Sequence, residues 1–154
     1  MLSFMNMDVV GFCSIETLHL QLNPTCTILI KAPNGKGKST ILSALVWAIY
    51  GKNLKGVSDV NTWKEVRLKD YKGTMVQVFF QKDSHTYKII RCQKYEEVLD
   101  DGAKGKDRLI FIKDGDVIDI KGKGKIQDAI NREIGLSLSL IHISEPTRQE
   151  AISY

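Results

Sequence analysis

The sequence predicts an α/β protein with a mixed sheet and an antiparallel β subdomain, and three observations predict it. Residues 26–31, with Ile28, Leu29 and Ile30 in sequence, form a run that is apolar on both faces and stops at a glycine-rich loop. That loop opens onto a helical stretch that is apolar on nearly every side. The stretch beyond carries two hairpin patterns and a closing amphipathic helix. A chain of 154 residues with 43% hydrophobic and 26% charged content can bury one proper core, so one globular unit is expected rather than two.

Taken in order, residues 7–12 and 17–22 are short β-type runs, and Leu18, Leu20 and Leu22 alternate with His19 and Gln21 as one buried strand face would. Asn23 and Pro24 then break the chain. After the glycine-rich loop, residues 38–50 present Ile41, Leu42, Ala44, Leu45, Val46, Trp47, Ala48 and Ile49, and Gly51 follows as a natural helix stop. Residues 52–72 are polar and irregular, an exposed connection with one short helical turn at 62–68. Residues 74–81 and 86–91 flank a polar turn at 82–85, and residues 108–113 and 117–120 flank Asp114-Gly115-Asp116, whose Asp-Gly pair favours a tight hairpin. Ile126, Ala129, Ile130 and Ile134 give the last helix its apolar face.

The loop Ala32-Pro33-Asn34-Gly35-Lys36-Gly37-Lys38-Ser39-Thr40 follows the phosphate-binding pattern G-x-x-x-x-G-K-[ST], with Ala32 in the first position. Chemistry explains each residue type. Gly35 and Gly37 have no Cβ, so backbone N–H groups can close around a phosphate, and the helix that follows presents its positive end to the anion. Lys38 places a full positive charge at the β and γ phosphates and is the expected charge-stabilising catalytic group. The Ser39 hydroxyl is the expected Mg²⁺ ligand, and Thr40 is placed for the α phosphate. A strand before the motif and a buried helix after it are the context a working phosphate loop requires.

Other features carry less. Asp114 ends an apolar run as a second ATPase motif would, yet the Gly and Asp after it read as a hairpin turn. Glu96, Glu97, Asp100 and Asp101 read as a solvated acidic loop, and Lys121, Lys123 and Lys125, with Gly122 and Gly124 between them, as a cationic loop able to touch a DNA backbone. His19 and His85 lack the carboxylate or histidine neighbours of a metal site. Cys13, Cys26 and Cys92 are odd in number and far apart, so they read as reduced core residues. A formal charge of +4 permits nucleic acid as a partner without demanding it. No run approaches the ~18 apolar residues of a membrane helix, and no secretory leader is readable, so a cytoplasmic protein is expected.

With these residues placed, the order of elements resembles the N-terminal half of the SMC-like DNA-repair ATPases, namely SbcC-type exonuclease subunits and phage recombination endonuclease subunits. The resemblance rests on Pro33-Asn34-Gly35 before Gly37-Lys38-Ser39, the helix ending Tyr50-Gly51, the strand Tyr87-Lys88-Ile89-Ile90-Arg91, and Ile134-Gly135-Leu136. It covers residues 4–137 in arrangement, and only residues 34–40 are highly specific. It implies a P-loop NTPase fold of the ABC-type head, of which residues 1–137 supply the N-terminal lobe. ATP and Mg²⁺ are the implied cofactors. Double-stranded DNA, a partner nuclease subunit and a homodimer of heads are the implied partners. In the family a glutamine loop, a signature motif, an Mg²⁺-binding carboxylate and a catalytic glutamate lie beyond the point matching residue 137. Residues 1–137 alone are therefore expected to bind nucleotide weakly and not to turn it over. Where the family often has an arginine near adenine, this chain has Cys13.

Residues 138–154 resemble the conceptual translation of a transposon-end sequencing adapter, with Gln149-Glu150-Ala151 at the variable index and Ile152-Ser153-Tyr154 in the next constant segment. Such a tail is set aside in fold reasoning. Two alternatives remain open: a nucleotide-gated DNA-binding module of the SMC or RecF type, and a small P-loop nucleotide kinase. The kinase lacks support, because an antiparallel β insert stands where its arginine-rich lid would be.

Overall fold

The computed structural model describes residues 2–13, 15–21, 38–52 and 72–135. Ten elements follow in order: β1 (Leu2–Phe12), β2 (Ile15–Gln21), α1 (Lys38–Tyr50), β3 (Thr74–Lys82), β4 (His85–Gln93), β5 (Tyr95–Val98), β6 (Lys104–Lys106), β7 (Leu109–Lys113), β8 (Asp116–Val117) and α2 (Lys123–Ile134). Six strands make one sheet in the order β2-β1-β3-β4-β7-β8, and β5 pairs with β6 in a separate hairpin. Every described strand pair is antiparallel. The apolar run at 26–31, the stretch 53–71 that includes the helical turn expected at 62–68, and residues 138–154 lie outside the described residues.

Alternation decides which face of the sheet carries the helices. Val76, Val78 and Phe80 of β3 are fully buried, as are Val9 of β1, Ile89 of β4 and Phe111 of β7. They pack with Ala44, Trp47, Ala48 and Ile49 of α1 and Ala129, Ile130 and Ile134 of α2 in one core. Burying a side chain of this size contributes roughly 1.5–3 kcal/mol, so this shared face is the main source of cohesion. From Thr40 onward no residue of α1 is exposed, as its unbroken apolar sequence predicts. Leu18 and Leu20 are only half-buried against that core because β2 is an edge strand.

The turns account for the register. Lys82 pairs with His85, so the first hairpin turns on two residues, Asp83 (φ 51°) and Ser84 (φ 69°), rather than on the four expected. Asp114 (φ 51°) and Gly115 (φ 85°) make the tight turn predicted between β7 and β8. There the second strand is shorter than expected, ending at Val117. The Ile118 N–H still donates to Phe111 O at 2.8 Å, after which the chain leaves the sheet toward α2.

Most strand ends lie within about two residues of the sequence reading, and the larger differences are at β1, α2 and the acidic stretch. β1 starts at Leu2 rather than at residue 7, with a register shift between Phe4 and Asn6 that hides the alternation. α2 starts at Lys123, so Lys123 and Lys125 belong to its first turn and not to a loop. The acidic stretch read as a loop is partly the β5–β6 hairpin, whose close contact is Gly105. A Cβ there would lie 2.7 Å from Tyr95 Cδ2 and 2.9 Å from Cys92 Sγ.

Candidate functional site

α1 opens at Lys38, which places Lys38, Ser39 and Thr40 in its first turn. No acidic residue stands in that turn, so the positive end of the helix dipole is not offset by a neighbouring carboxylate. Ala32, Pro33, Asn34, Gly35, Lys36 and Gly37 lie outside the described residues, and only the backbone is described for Lys38 and Ser39. An anion at this end would meet N–H groups that have no partner within the helix and a positive dipole, which is the donor set a phosphate requires.

α1 is fixed laterally by the turn between β1 and β2. Gly11 (φ 63°) and Cys13 (φ 50°) are both left-handed there, and Phe12 between them is fully buried with its ring 5.7 Å from that of Trp47. Thr74 is buried and its hydroxyl donates to Gly11 O at 2.5 Å, which ties the turn to β3. Cys13, at the position the resemblance assigns to an adenine contact, is half-buried against the core.

The far end of α1 is held by polar groups. Gly51, at φ 79°, donates to Trp47 O at 2.7 Å and ends the helix. Arg91 of β4 donates from Nε to Ala48 O at 3.0 Å and from a terminal nitrogen to Gln127 Oε1, and it lies over the Trp47 ring at 6.0 Å. Gln127 of α2 in turn donates to Ile49 O at 2.7 Å. Burial pulls the Arg91 guanidinium down to about 10, which leaves it cationic at neutral pH. A cation against the last carbonyls of a helix is favourable. The sequence pattern carried no sign of Gln127 in this role and little of Arg91. The one signal was an arginine set among buried strand residues, which burial normally excludes unless it is hydrogen-bonded.

Away from α1, the weaker sequence signals resolve. Asp114 sits in the predicted hairpin turn, where it accepts from the Thr86 N–H at 2.9 Å and contacts His85 Nδ1 at 2.6 Å. The Thr86 N–H and His85 hold its carboxyl below the usual range, so its charge serves turn closure. His19 and His85 do each have a carboxylate neighbour, contrary to the sequence reading: His19 bonds Asp8 across the β1–β2 pair, as His85 bonds Asp114. Cross-strand register brings these residues together, and spacing along the chain hides it. Among the described residues no group of three or more His, Cys, Asp or Glu side chains could hold a metal ion. Cys92 is buried and its thiol is pushed up to about 11, mainly by desolvation, so it stays protonated as a core residue. No described helix is long and apolar enough to cross a membrane.

Residues 7–151 match the AAA domain family, and the chain belongs to that family. Its fold is the P-loop NTPase fold of the ABC-type head, with an antiparallel subdomain. It is similar to the recombination mediator protein RecF, solved with ATP, at 19% identity and a TM-score of 0.54 over 81% of this chain. The chain spans 30% of that RecF chain. It is also similar to a structure from a study of ATP-driven dimerisation and DNA-stimulated activation of SMC ATPases. There the identity is 19% and the TM-score 0.52, over 88% of this chain and 81% of that one.

Proposed function

We propose that this AAA-domain chain binds Mg-ATP through residues 32–40 and acts as the N-terminal half of an SMC-like DNA-repair ATPase head. The observation that carries the reading is the coincidence of pattern and fold: the last three residues of the phosphate-binding sequence, Lys38, Ser39 and Thr40, open α1, in a fold shared with RecF and SMC ATPases. Backbone N–H groups around Gly35 and Gly37 would hold the β phosphate, Lys38 would offset charge on the β and γ phosphates, and Ser39 would ligate Mg²⁺. Mg-ATP bound there would supply the phosphoanhydride that a complete head cleaves.

Cleavage also needs a positioned water and a group to orient it. Asp114 is committed to a hairpin turn, and we place the catalytic glutamate, signature motif and Mg²⁺-binding carboxylate outside residues 1–137. The chain by itself then binds nucleotide without turning it over. In the parent protein, two heads would close on ATP around double-stranded DNA and control a partner nuclease in the cytoplasm, as in SbcC-type or phage recombination subunits. Residues 138–154 are adapter-derived in this reading, and coding DNA that departs from the adapter over those codons would refute that.

The test is a calorimetric titration of the purified chain with Mg-ATP. Binding should be weak and should fall at least about tenfold in Lys38→Ala, with no phosphate release from either protein. Lys38-dependent hydrolysis by the chain would contradict its inactivity, and binding indifferent to Lys38 would remove the nucleotide reading. A second reading, a RecF-type nucleotide-gated DNA module, is favoured by the RecF likeness. Gene sequence beyond residue 137 separates the two: a zinc-hook CxxC marks the nuclease branch, a hinge domain the SMC branch and a short insertion the RecF branch.

A further inference from the structure

We infer that Arg91 is a positioning residue for the phosphate-binding loop, acting through α1 from the end opposite the loop. The inference rests on the nucleotide reading given above. Arg91 bridges three elements: it stands on β4, donates to Ala48 O in the last turn of α1, and donates to Gln127 on α2. Gln127 closes the triangle by donating to Ile49 O at 2.7 Å and to Asn131 Oδ1 at 3.0 Å. Among the described residues no carboxylate forms an ion pair with Arg91, so its charge is answered by α1's own carbonyl end.

Geometry makes that end matter at the other. A helix of 13 residues is about 20 Å long and stiff along its axis, so a slide of about 1 Å at the carbonyl end moves the phosphate-facing end by the same amount. Hydrogen bonds from backbone N–H groups to a phosphate oxygen tolerate a window of only about 0.5 Å, and a 1 Å misplacement forfeits them. Apolar packing of Trp47 and Ala48 restrains α1 against the sheet but is non-directional along the surface. The bonds from Arg91 and Gln127 to the Ala48 and Ile49 carbonyls are directional, so they fix the position of α1 along its axis, which packing holds less sharply. A planar guanidinium fork is suited to this, because its separate N–H groups reach two elements at once, which a lysine ammonium cannot do in the same geometry.

A mutation with a merely structural role lowers the stability of free and ATP-bound protein alike and leaves affinity unchanged. The experiment compares wild type, Arg91→Lys, Gln127→Leu and the double variant. Unfolding temperature is followed by circular dichroism, and Mg-ATP affinity by calorimetry well below the unfolding transition. Arg91→Lys keeps the charge and the aliphatic stem against Trp47. The expected result is an Mg-ATP Kd raised about tenfold in each single variant and no further in the double, because the two residues act as one unit. Should Arg91→Lys fail to fold, Gln127→Leu gives the same two readouts. Lowered unfolding temperatures with wild-type Kd values in the folded variants overturn the inference. Wild-type binding that does not depend on Lys38 instead overturns the nucleotide reading beneath it.

Discussion

α1 and α2 lie on the same face of one sheet, yet they are held there by different means. α1 is enclosed by apolar contacts along its length, and Arg91 and Gln127 give it polar partners at its carbonyl end. α2 buries a narrow stripe, Ala129, Ile130 and Ile134, and is latched by polar side chains near both ends. Gln127 reaches α1 at one end, and at the other Glu133 meets Tyr87 and Lys113 while its carbonyl accepts from Lys82. The contrast separates two roles. Burial fixes α1 broadly, whereas α2 is set by a narrow apolar stripe and a few exchangeable polar contacts.

The comparison breaks most visibly at Trp47. Its ring is wedged between Phe12 and Arg91 and is 2% exposed, so Trp47→Ala opens a cavity that joins both anchors of α1. A loss of about 3–5 kcal/mol is expected in urea unfolding. A loss below about 1 kcal/mol would mean that α1 is not held by burial.

Thr74→Val comes next. It preserves shape and removes the donor to Gly11 O, the bond that ties the turn carrying Phe12 to β3. Leaving that buried carbonyl without its donor costs about 1–3 kcal/mol. The same urea measurement on Thr74→Ser, which keeps the hydroxyl, should recover most of the loss beyond that of a methyl group, and a Ser variant as weak as Val would assign the effect to packing.

The same contrast explains what the sequence disclosed. α1, β3, β4, β7 and the Asp-Gly turn were legible because unbroken or alternating apolar runs and a left-handed turn pair leave direct marks on composition. The early part of β1 was not, because the shift between Phe4 and Asn6 interrupts alternation. β5 and β6 were not, because Glu96, Glu97 and Lys104 look like loop residues, and what holds the hairpin is a glycine packed on Tyr95 and Cys92. For the site, spacing carries the phosphate-binding pattern, of which the described residues include only the stretch from Lys38 onward. The Arg91–Gln127 clamp was illegible, since its partners are backbone carbonyls, which every residue has, brought together across 36 positions from Arg91 to Gln127.

The α2 latch is sharpened by the smallest of these effects, at Tyr87. The ring is stacked between Phe80, at 5.0 Å, and Phe111, at 5.8 Å, while its hydroxyl donates to Glu133 Oε2 at 2.7 Å. Tyr87→Phe keeps both stacks and removes that one bond, so about 1–2 kcal/mol should be lost at neutral pH, as befits a half-buried hydrogen bond to a charged group. The pH dependence identifies the bond. The Tyr87 hydrogen bond, then Lys113, holds the Glu133 carboxyl below its ordinary 4.5. Its stabilisation is therefore present above 4.5 and fades as pH falls through the lower folded value. Desolvation, then Glu133, pushes Tyr87 from 10.0 up to about 12. That contribution is complete below 10 and is lost as pH rises toward 12. Wild type should thus weaken on both the acid and the alkaline limb, and Tyr87→Phe should lack the alkaline loss altogether and show a shallower acid one. An unchanged alkaline limb in the variant would show that Tyr87 is not the group titrating there, and that α2 is held by its apolar stripe as α1 is by its own.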